Sequence, residues 1–127
     1  MKTEKFIYTD HDTGKSFEFD VHAGDMNALR KLYALQEKIV ELKNDKLGTG
    51  DIVALYDKIL GWIDFVLGDG GFARIYGAHY SVADIMAVFT ELGTFVVESA
   101  KTVSEKYSTD NIGVPNEFAD KPVADKE

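Results

Sequence analysis

The sequence contains no cysteine, and this absence excludes several kinds of site. Without a thiol the chain has no disulfide bond, no thiolate metal ligand and no cysteine nucleophile. A cysteine-free chain is also compatible with a reducing cytoplasm. Stability must therefore come from an ordinary hydrophobic core, and 127 residues of which 45% are hydrophobic suffice for one such domain.

Positive charge and long apolar runs are also scarce. The chain has 14 Lys and Arg residues and 22 Asp and Glu residues, which gives a formal net charge of −8. Binding to phosphates needs clustered Lys and Arg, so this charge argues against nucleic acid and against anionic membrane surfaces. No segment approaches the roughly 18 apolar residues of a membrane span, and the N-terminus lacks the pattern of a signal peptide. We therefore expect a soluble protein without a nucleic-acid or membrane partner.

Groups typical of catalytic and metal sites are few. The three histidines, His11, His22 and His79, match no metal-ligand spacing, and no serine lies in a nucleophile elbow. A calcium-loop-like start at Asp10 fails because the loop lacks an oxygen donor at position five and a Glu at position twelve. We therefore expect no enzyme, no cofactor and no metal. An enzyme whose site is assembled from distant residues, for example near His79 and Asp84, is a competing class.

Two segments near the N-terminus have the pattern of strands. The segments 5–9 and 16–21 are rich in aromatic residues and alternate polar with apolar side chains. The residues between them are turn formers, so the pattern predicts a β-hairpin with Phe17, Phe19 and Val21 on one face. An isolated hairpin is marginally stable, and this face should therefore pack on helices or pair with another chain. The sequence does not decide between these two arrangements.

Three later segments carry apolar residues at alternating spacings of three and four, which predicts three amphipathic helices. Asp25, Thr49 and Ser81 precede these segments as N-caps. Gly68 is expected to end the second helix in the left-handed conformation, and Gly93 to let a neighbouring helix approach the third. The apolar faces comprise Ala28, Leu32, Leu35, Ile39 and Leu42, widened by Leu29, Tyr33 and Val40, then Ile52, Leu55, Ile59, Ile63 and Val66, and finally Ile85, Phe89, Leu92, Val96, Ser99 and Val103.

Together these elements predict a mainly α fold with a small β part (α+β), in which an N-terminal hairpin is followed by three main helices. We expect residues 1–107 to form a single globular domain. Residues 108–127 contain both prolines and five acidic residues against two lysines, a net charge of −3, and they predict a flexible acidic tail. Val114 and Phe118 are apolar groups of this tail that can dock weakly on a partner or on the domain.

A family resemblance lies between the second and the last predicted helix. The segment 63–77 has the sequence IDFVLGDGGFARIYG, and a capped helix follows it from SVADI at 81–85. This combination resembles the tail assembly chaperones of long-tailed bacteriophages that infect Gram-positive hosts. In those proteins a helix commonly ends in a Leu/Ile-Gly-Glu/Asp-Gly turn, which precedes an aromatic helical turn and a capped long helix. The resemblance covers about residues 17–104.

The resemblance implies an assembly factor in the cytoplasm of the bacterial host cell. Such a protein forms homo-oligomers and coats the long tape-measure protein before the tail tube polymerises around it, and no residue of the motif is catalytic. The alternative is a small acidic phage inhibitor that mimics nucleic acid and binds a host enzyme, which requires carboxylates arrayed on one surface. The chaperone hypothesis makes six residues candidates for contact with the tape-measure protein or another tail protein: Trp62, Phe65, Phe72, Ile75, Tyr76 and Phe95.

Overall fold

The computed structural model describes residues 2–43 and 48–107. Within them an antiparallel β-hairpin is followed by helices, which confirms the predicted α+β class. The acidic tail predicted at 108–127 lies outside these ranges. In chain order the elements are β1 (Thr3–Thr9), β2 (Ser16–His22), α1 (Met26–Lys43), α2 (Thr49–Leu67), α3 (Gly71–Tyr76) and α4 (Val82–Lys106).

The hairpin packs its apolar face on helices of its own chain. β1 and β2 pair in antiparallel register, with Phe6 opposite Phe19 and Tyr8 opposite Phe17. On the inner face Phe6, Tyr8, Phe19 and Val21 are buried, and β2 lies against α2 while β1 lies against α4. The inner face therefore packs on helices of the same chain, which is one of the two arrangements that the sequence left open.

α1, α2 and α4 contact one another and form the helical part of the core. A buried hydrogen bond joins two of them, because the indole Nε1 of Trp62 in α2 donates to the carbonyl oxygen of Ala28 in α1 at 2.9 Å. The predicted apolar faces supply most of the core, although Ile52 in the first turn of α2 is 39% exposed. The buried hydrophobic side chains of the helices are Ala28, Leu32, Leu35, Ile59, Trp62, Ile63, Val66, Leu67, Phe72, Ile85, Val88, Phe89, Leu92 and Val96, and the polar side chain of Ser99 in α4 is buried beside them.

The predicted caps of α1 and α4 are confirmed. The carboxylate of Asp25 accepts the N–H of Asn27 at 2.9 Å, at the start of α1. At the start of α4 the hydroxyl of Ser81 accepts the N–H of Asp84 at 3.3 Å, and the Asp84 carboxylate accepts the N–H of Ser81 at 2.9 Å. This reciprocal pair is a capping box, which satisfies two backbone donors at once.

At two helix ends the capping residue or its backbone conformation differs from the prediction. The N-cap of α2 is Gly48 and not Thr49, because the Asp51 carboxylate accepts the N–H of Gly48 at 3.1 Å and takes over the capping role. Gly68 ends α2 as predicted, and its N–H donates to the carbonyl oxygen of Asp64 at 2.8 Å. Its φ of 104° and ψ of 159°, however, lie outside the left-handed helical region. The left-handed residue is Gly70, with φ 75° and ψ 10°, which leads directly into α3.

The predicted reason for Gly93 is also wrong. A Cβ atom at this position would meet only a methyl carbon of Leu32, at 3.7 Å, which is an ordinary van der Waals contact. The neighbouring helix α1 therefore approaches α4 through a side chain and does not require a glycine in α4.

Candidate protein-binding surface

Three of the six predicted contact residues lie in α3, where they attach this short helix to the rest of the fold. Phe72 is 3% exposed, and its ring packs edge-on against Tyr80 with the centroids 4.9 Å apart. Tyr76 is half-buried, and its hydroxyl shares a 2.7 Å hydrogen bond with the hydroxyl of Tyr8 in β1. Ile75 is half-buried against the core cluster.

The Tyr8–Tyr76 pair holds both phenols in the neutral form. Burial raises the pKa of Tyr8. Burial, together with the hydrogen bond to Tyr8, also raises the pKa of Tyr76. The carboxylates of Asp10 and Asp84 raise both pKa values further because they disfavour a second negative charge nearby. The pair therefore joins the hairpin to α3 as a protonated, structural contact.

Two more predicted contact residues lie within the packed body of the protein. Trp62 is 3% exposed, and its ring packs edge-on against Phe89 of α4 at a centroid distance of 5.5 Å. Phe95 in α4 is half-buried, and its ring packs edge-on against Phe6 of β1 at 5.2 Å. These aromatic contacts join α2 to α4 and α4 to the hairpin.

Phe65 is the one predicted contact residue with a large accessible surface. Its side chain in α2 is 46% exposed, and the ammonium group of Lys31 in α1 lies 5.1 Å from its ring centroid. Trp62 and Phe72, by contrast, are core residues, because the folded chain already surrounds both rings. Burial thus removes these two from the accessible surface, and the six predicted residues do not form one continuous patch.

An apolar groove runs between α1 and α4, and we call it the α1–α4 groove. Its part near the end of α4 has a volume of about 460 Å³, and the adjoining part has about 390 Å³. Leu32, Gln36 and Val97 line both parts, so the two parts adjoin. The lining residues along α4 extend from Met86 to Glu105, about 28 Å at 1.5 Å per residue. Tyr33 lines the groove and is 68% exposed.

A second groove, the α1–α2 groove, lies between α1 and α2. Its volume is about 570 Å³, and Phe65 and Gly61 are among its lining residues. It continues past Lys38 and Lys58 toward the start of α2 through a further volume of about 230 Å³. Three lysines line it, Lys31, Lys38 and Lys58, so this groove combines apolar surface with local positive charge.

The importance of α1 was missed from the sequence. All six predicted contact residues belong to α2, α3 or α4, yet α1 contributes one wall to each groove. A signal was present, because Leu29, Tyr33 and Val40 widen the apolar face of α1 beyond a single stripe. In the structure Tyr33 and Val40 are 68% and 60% exposed. An apolar face wider than its neighbours can cover indicates a binding surface.

The described residues show no further chemical site. Within 2–43 and 48–107, no group of three or more His, Cys, Asp or Glu side chains is placed to hold a metal ion. In the same ranges, no helix combines the length and the apolar character needed to cross a bilayer. The carboxylate of Asp84, which the competing enzyme hypothesis singled out, accepts the N–H of Ser81 and caps α4.

No family model, characterised protein or solved structure matches this chain. The resemblance to tail assembly chaperones therefore rests on the residues quoted from 63–85 alone. Any function has to be argued from the two grooves and their charges.

Proposed function

We propose that this chain is a non-enzymatic phage tail assembly chaperone, which binds helical segments of the tape-measure protein and keeps that protein soluble during tail assembly. The observation that carries the proposal is the apolar α1–α4 groove, whose wall residue Tyr33 is 68% exposed. The resemblance of the segment 63–85 supports the choice of family. Residence in the bacterial cytoplasm and assembly into homo-oligomers belong to the same proposal.

The shape of the groove suits a helical ligand. The lining residues extend about 28 Å along α4, the length of about five turns of α-helix. Leu29, Leu32 and Val97 supply apolar lining, and such a groove takes an amphipathic helix through anchors at i, i+3 or i+4, and i+7. The resemblance implies that the tape-measure protein would otherwise expose apolar helical surface before the tube forms, and this is the kind of ligand that the groove would shield from water.

The overall charge fits a solubilising role. A net charge of −8 keeps molecules apart in solution, and a chaperone that covers apolar helices transfers this property to the complex. The rival inhibitor hypothesis requires a dense acidic face. On the outer face of the hairpin, however, Glu18 and Asp20 flank Lys5, whose ammonium lies 4.0 Å and 2.9 Å from their carboxylates. There the acidic groups are interleaved with a cation, which weakens the resemblance to a phosphate backbone.

Co-expression with the tape-measure protein of the same phage genome tests the proposal. We expect the tape-measure protein to precipitate alone and to co-elute with this protein in size-exclusion chromatography with light scattering. The same measurement on this protein alone gives its oligomeric state. If the two proteins elute separately and the tape measure gains no solubility, the chaperone proposal is wrong, and basic host enzymes become the ligands to test.

A matched pair of variants locates the binding surface. Tyr33 and Tyr107 are both exposed, by 68% and 59%, but only Tyr33 lines the α1–α4 groove. Tyr33→Glu places a charge in the apolar contact and should weaken binding at least about tenfold, or about 1.4 kcal/mol. Tyr107→Glu should bind like the unchanged protein. Equal loss in both variants would show that a different surface binds the tape measure.

A further inference from the structure

The charge of the α1–α2 groove is opposite in sign to that of the chain. The chain carries a net charge of −8, whereas Lys31, Lys38 and Lys58 line this groove. Among its lining residues within 2–43 and 48–107 the one carboxylate is Asp51, at the far end. Glu41, outside the lining, pairs with Lys38 at 3.6 Å, so Lys31 and Lys58 carry most of the positive charge. An occupant with the complementary chemistry is acidic and carries apolar side chains for the surface around Phe65.

The segment 108–127 of this chain has that chemistry. It carries five acidic residues against two lysines, so its net charge is −3. Ile112, Val114 and Phe118 supply apolar side chains, and three of the five acidic residues follow Phe118. The α1–α4 groove suits it less well, because the carboxylates of Glu98 and Glu105 line that groove with a single lysine, Lys101.

The segment also starts near the end of the α1–α2 groove that Lys31 lines. α4 ends beside the first half of α1, since Ser104 lines a pocket together with Leu29 and Tyr33. Lys31, which lines the α1–α2 groove, lies between Leu29 and Tyr33 in the sequence of α1. The six residues 108–113 span up to about 20 Å when extended, whereas a helix with its side chains is about 10 Å thick. The chain is therefore long enough to pass round α1.

We propose that the acidic segment 108–127 docks in the lysine-lined α1–α2 groove of its own chain, with its apolar residues against the surface around Phe65. Covalent attachment gives the segment an effective concentration in the millimolar range, so a weak contact suffices to keep the groove occupied. This inference concerns a different groove from the one assigned to the tape-measure protein, and its test does not depend on the chaperone proposal.

Cysteine trapping in the full-length protein tests the docking directly, because the natural chain contains no cysteine. Gly61 lies in the groove lining, and a Cβ there meets no atom within 4 Å, so Gly61→Cys should fold normally. Combined with Asn116→Cys, it should form an intramolecular disulfide, which requires the two Cα atoms to come within about 4.4–6.8 Å. The product is identified by non-reducing electrophoresis and peptide mass spectrometry.

The control pairs Asn116→Cys with Val53→Cys. Val53 also lies in α2 and is 55% exposed, but it is not a lining residue of the groove. We expect the Gly61 pair to close at least about tenfold faster than the Val53 pair, because docking raises the local thiol concentration. Equal rates in the two pairs would overturn the proposal. A disulfide that forms only between two chains, and slows on dilution, would assign the groove to a second copy and also overturn it.

The charge component is tested in the same trapping assay. Lys38→Glu together with Lys58→Glu should slow closure of the Gly61 pair, and so should 1 M salt, at which the screening length is about 3 Å. Lys101→Glu in the other groove is the matched control and should leave the rate unchanged. Closure that is insensitive to both salt and the lysine pair would contradict electrostatic recognition by this groove.

Discussion

The hairpin side and the α1 side of the protein are packed in different ways. On the hairpin side, aromatic rings pack between β1 and α4 and between β1 and α3, in the Phe6–Phe95 and Tyr8–Tyr76 contacts. On the α1 side, two grooves flank the helix, and Tyr33 and Val40 are exposed. One indole hydrogen bond from Trp62 joins α1 to α2. The hairpin side is thus closely packed, whereas the α1 side retains accessible apolar surface.

This difference explains why an aromatic cluster is a poor guide to a binding surface. Large rings bury much area and fill the core of a small domain efficiently. In this chain they are used to fix a two-stranded hairpin, which would be marginal alone. The surface left for partners is bordered by smaller or longer side chains, such as Gly61, Val97 and the lysines of the α1–α2 groove.

The largest expected effect is a difference in the free energy of unfolding between substitutions on the hairpin side and on the α1 side. Phe72→Ala removes a ring that is 3% exposed and contacts both Tyr76 and Tyr80, so it should lower the free energy of unfolding by about 3–5 kcal/mol. Tyr33→Ala on the α1 side should change it by less than about 0.5 kcal/mol. Urea unfolding followed by circular dichroism measures both. Similar losses in the two variants would abolish the distinction between the two sides.

A smaller effect is expected where α1 is attached. Trp62→Phe keeps an aromatic ring beside Phe89 but leaves the buried carbonyl of Ala28 without its indole donor. The free energy of unfolding should fall by about 1–3 kcal/mol, because the variant loses one buried hydrogen bond and the smaller ring leaves unfilled space. Hydrogen exchange should rise first in α1, because this bond joins α1 to α2. The control is Phe65→Leu, an exposed neighbour, and uniform exchange across all helices would argue against a separately attached α1.

The tyrosine pair predicts a pH dependence confined to the hairpin side. The pKa values of Tyr8 and Tyr76 are raised by folding, so the contribution of the neutral pair is complete below about pH 10, the ordinary tyrosine pKa. It is lost as pH rises above that value, because the unfolded state releases the protons first. Unfolding in urea at pH 8 and pH 11 should show this decrease. Tyr8→Phe should cost about 1 kcal/mol at pH 8 and reduce the pH dependence.

Much of the fold follows from local patterns in the sequence. The period-two alternation around Phe19 predicts the hairpin, and the periodic apolar faces and the caps at Asp25 and Ser81 predict α1 and α4. The candidate surface is harder, because exposure depends on which neighbour covers each face. Trp62 and Phe65 lie three residues apart on one helix, yet the first is buried against Phe89 and the second is exposed. Only the arrangement of the helices distinguishes them.

The smallest expected effect comes from the same substitution made on both sides. Gly61 and Gly93 lie inside helices that border the grooves, and a Cβ meets no atom within 4 Å at the first and Leu32 at 3.7 Å at the second. Gly61→Ala and Gly93→Ala should each stabilise the protein by about 0.5–1 kcal/mol, since alanine favours the helix. At Gly71, the first residue of α3, a Cβ would lie 2.5 Å from the Cβ of Leu67.

Gly71→Ala should therefore destabilise the protein by about 1–3 kcal/mol, because the close contact forces α3 away from the end of α2. Thermal unfolding of the three variants measures both signs in one experiment. Stabilisation at Gly61 and Gly93 together with loss at Gly71 would show that free space is concentrated along α1. If all three substitutions stabilise the protein, α3 moves to accept a side chain as readily as the helices that line the grooves. The contrast between a rigid hairpin side and an open α1 side would then no longer explain where a partner binds.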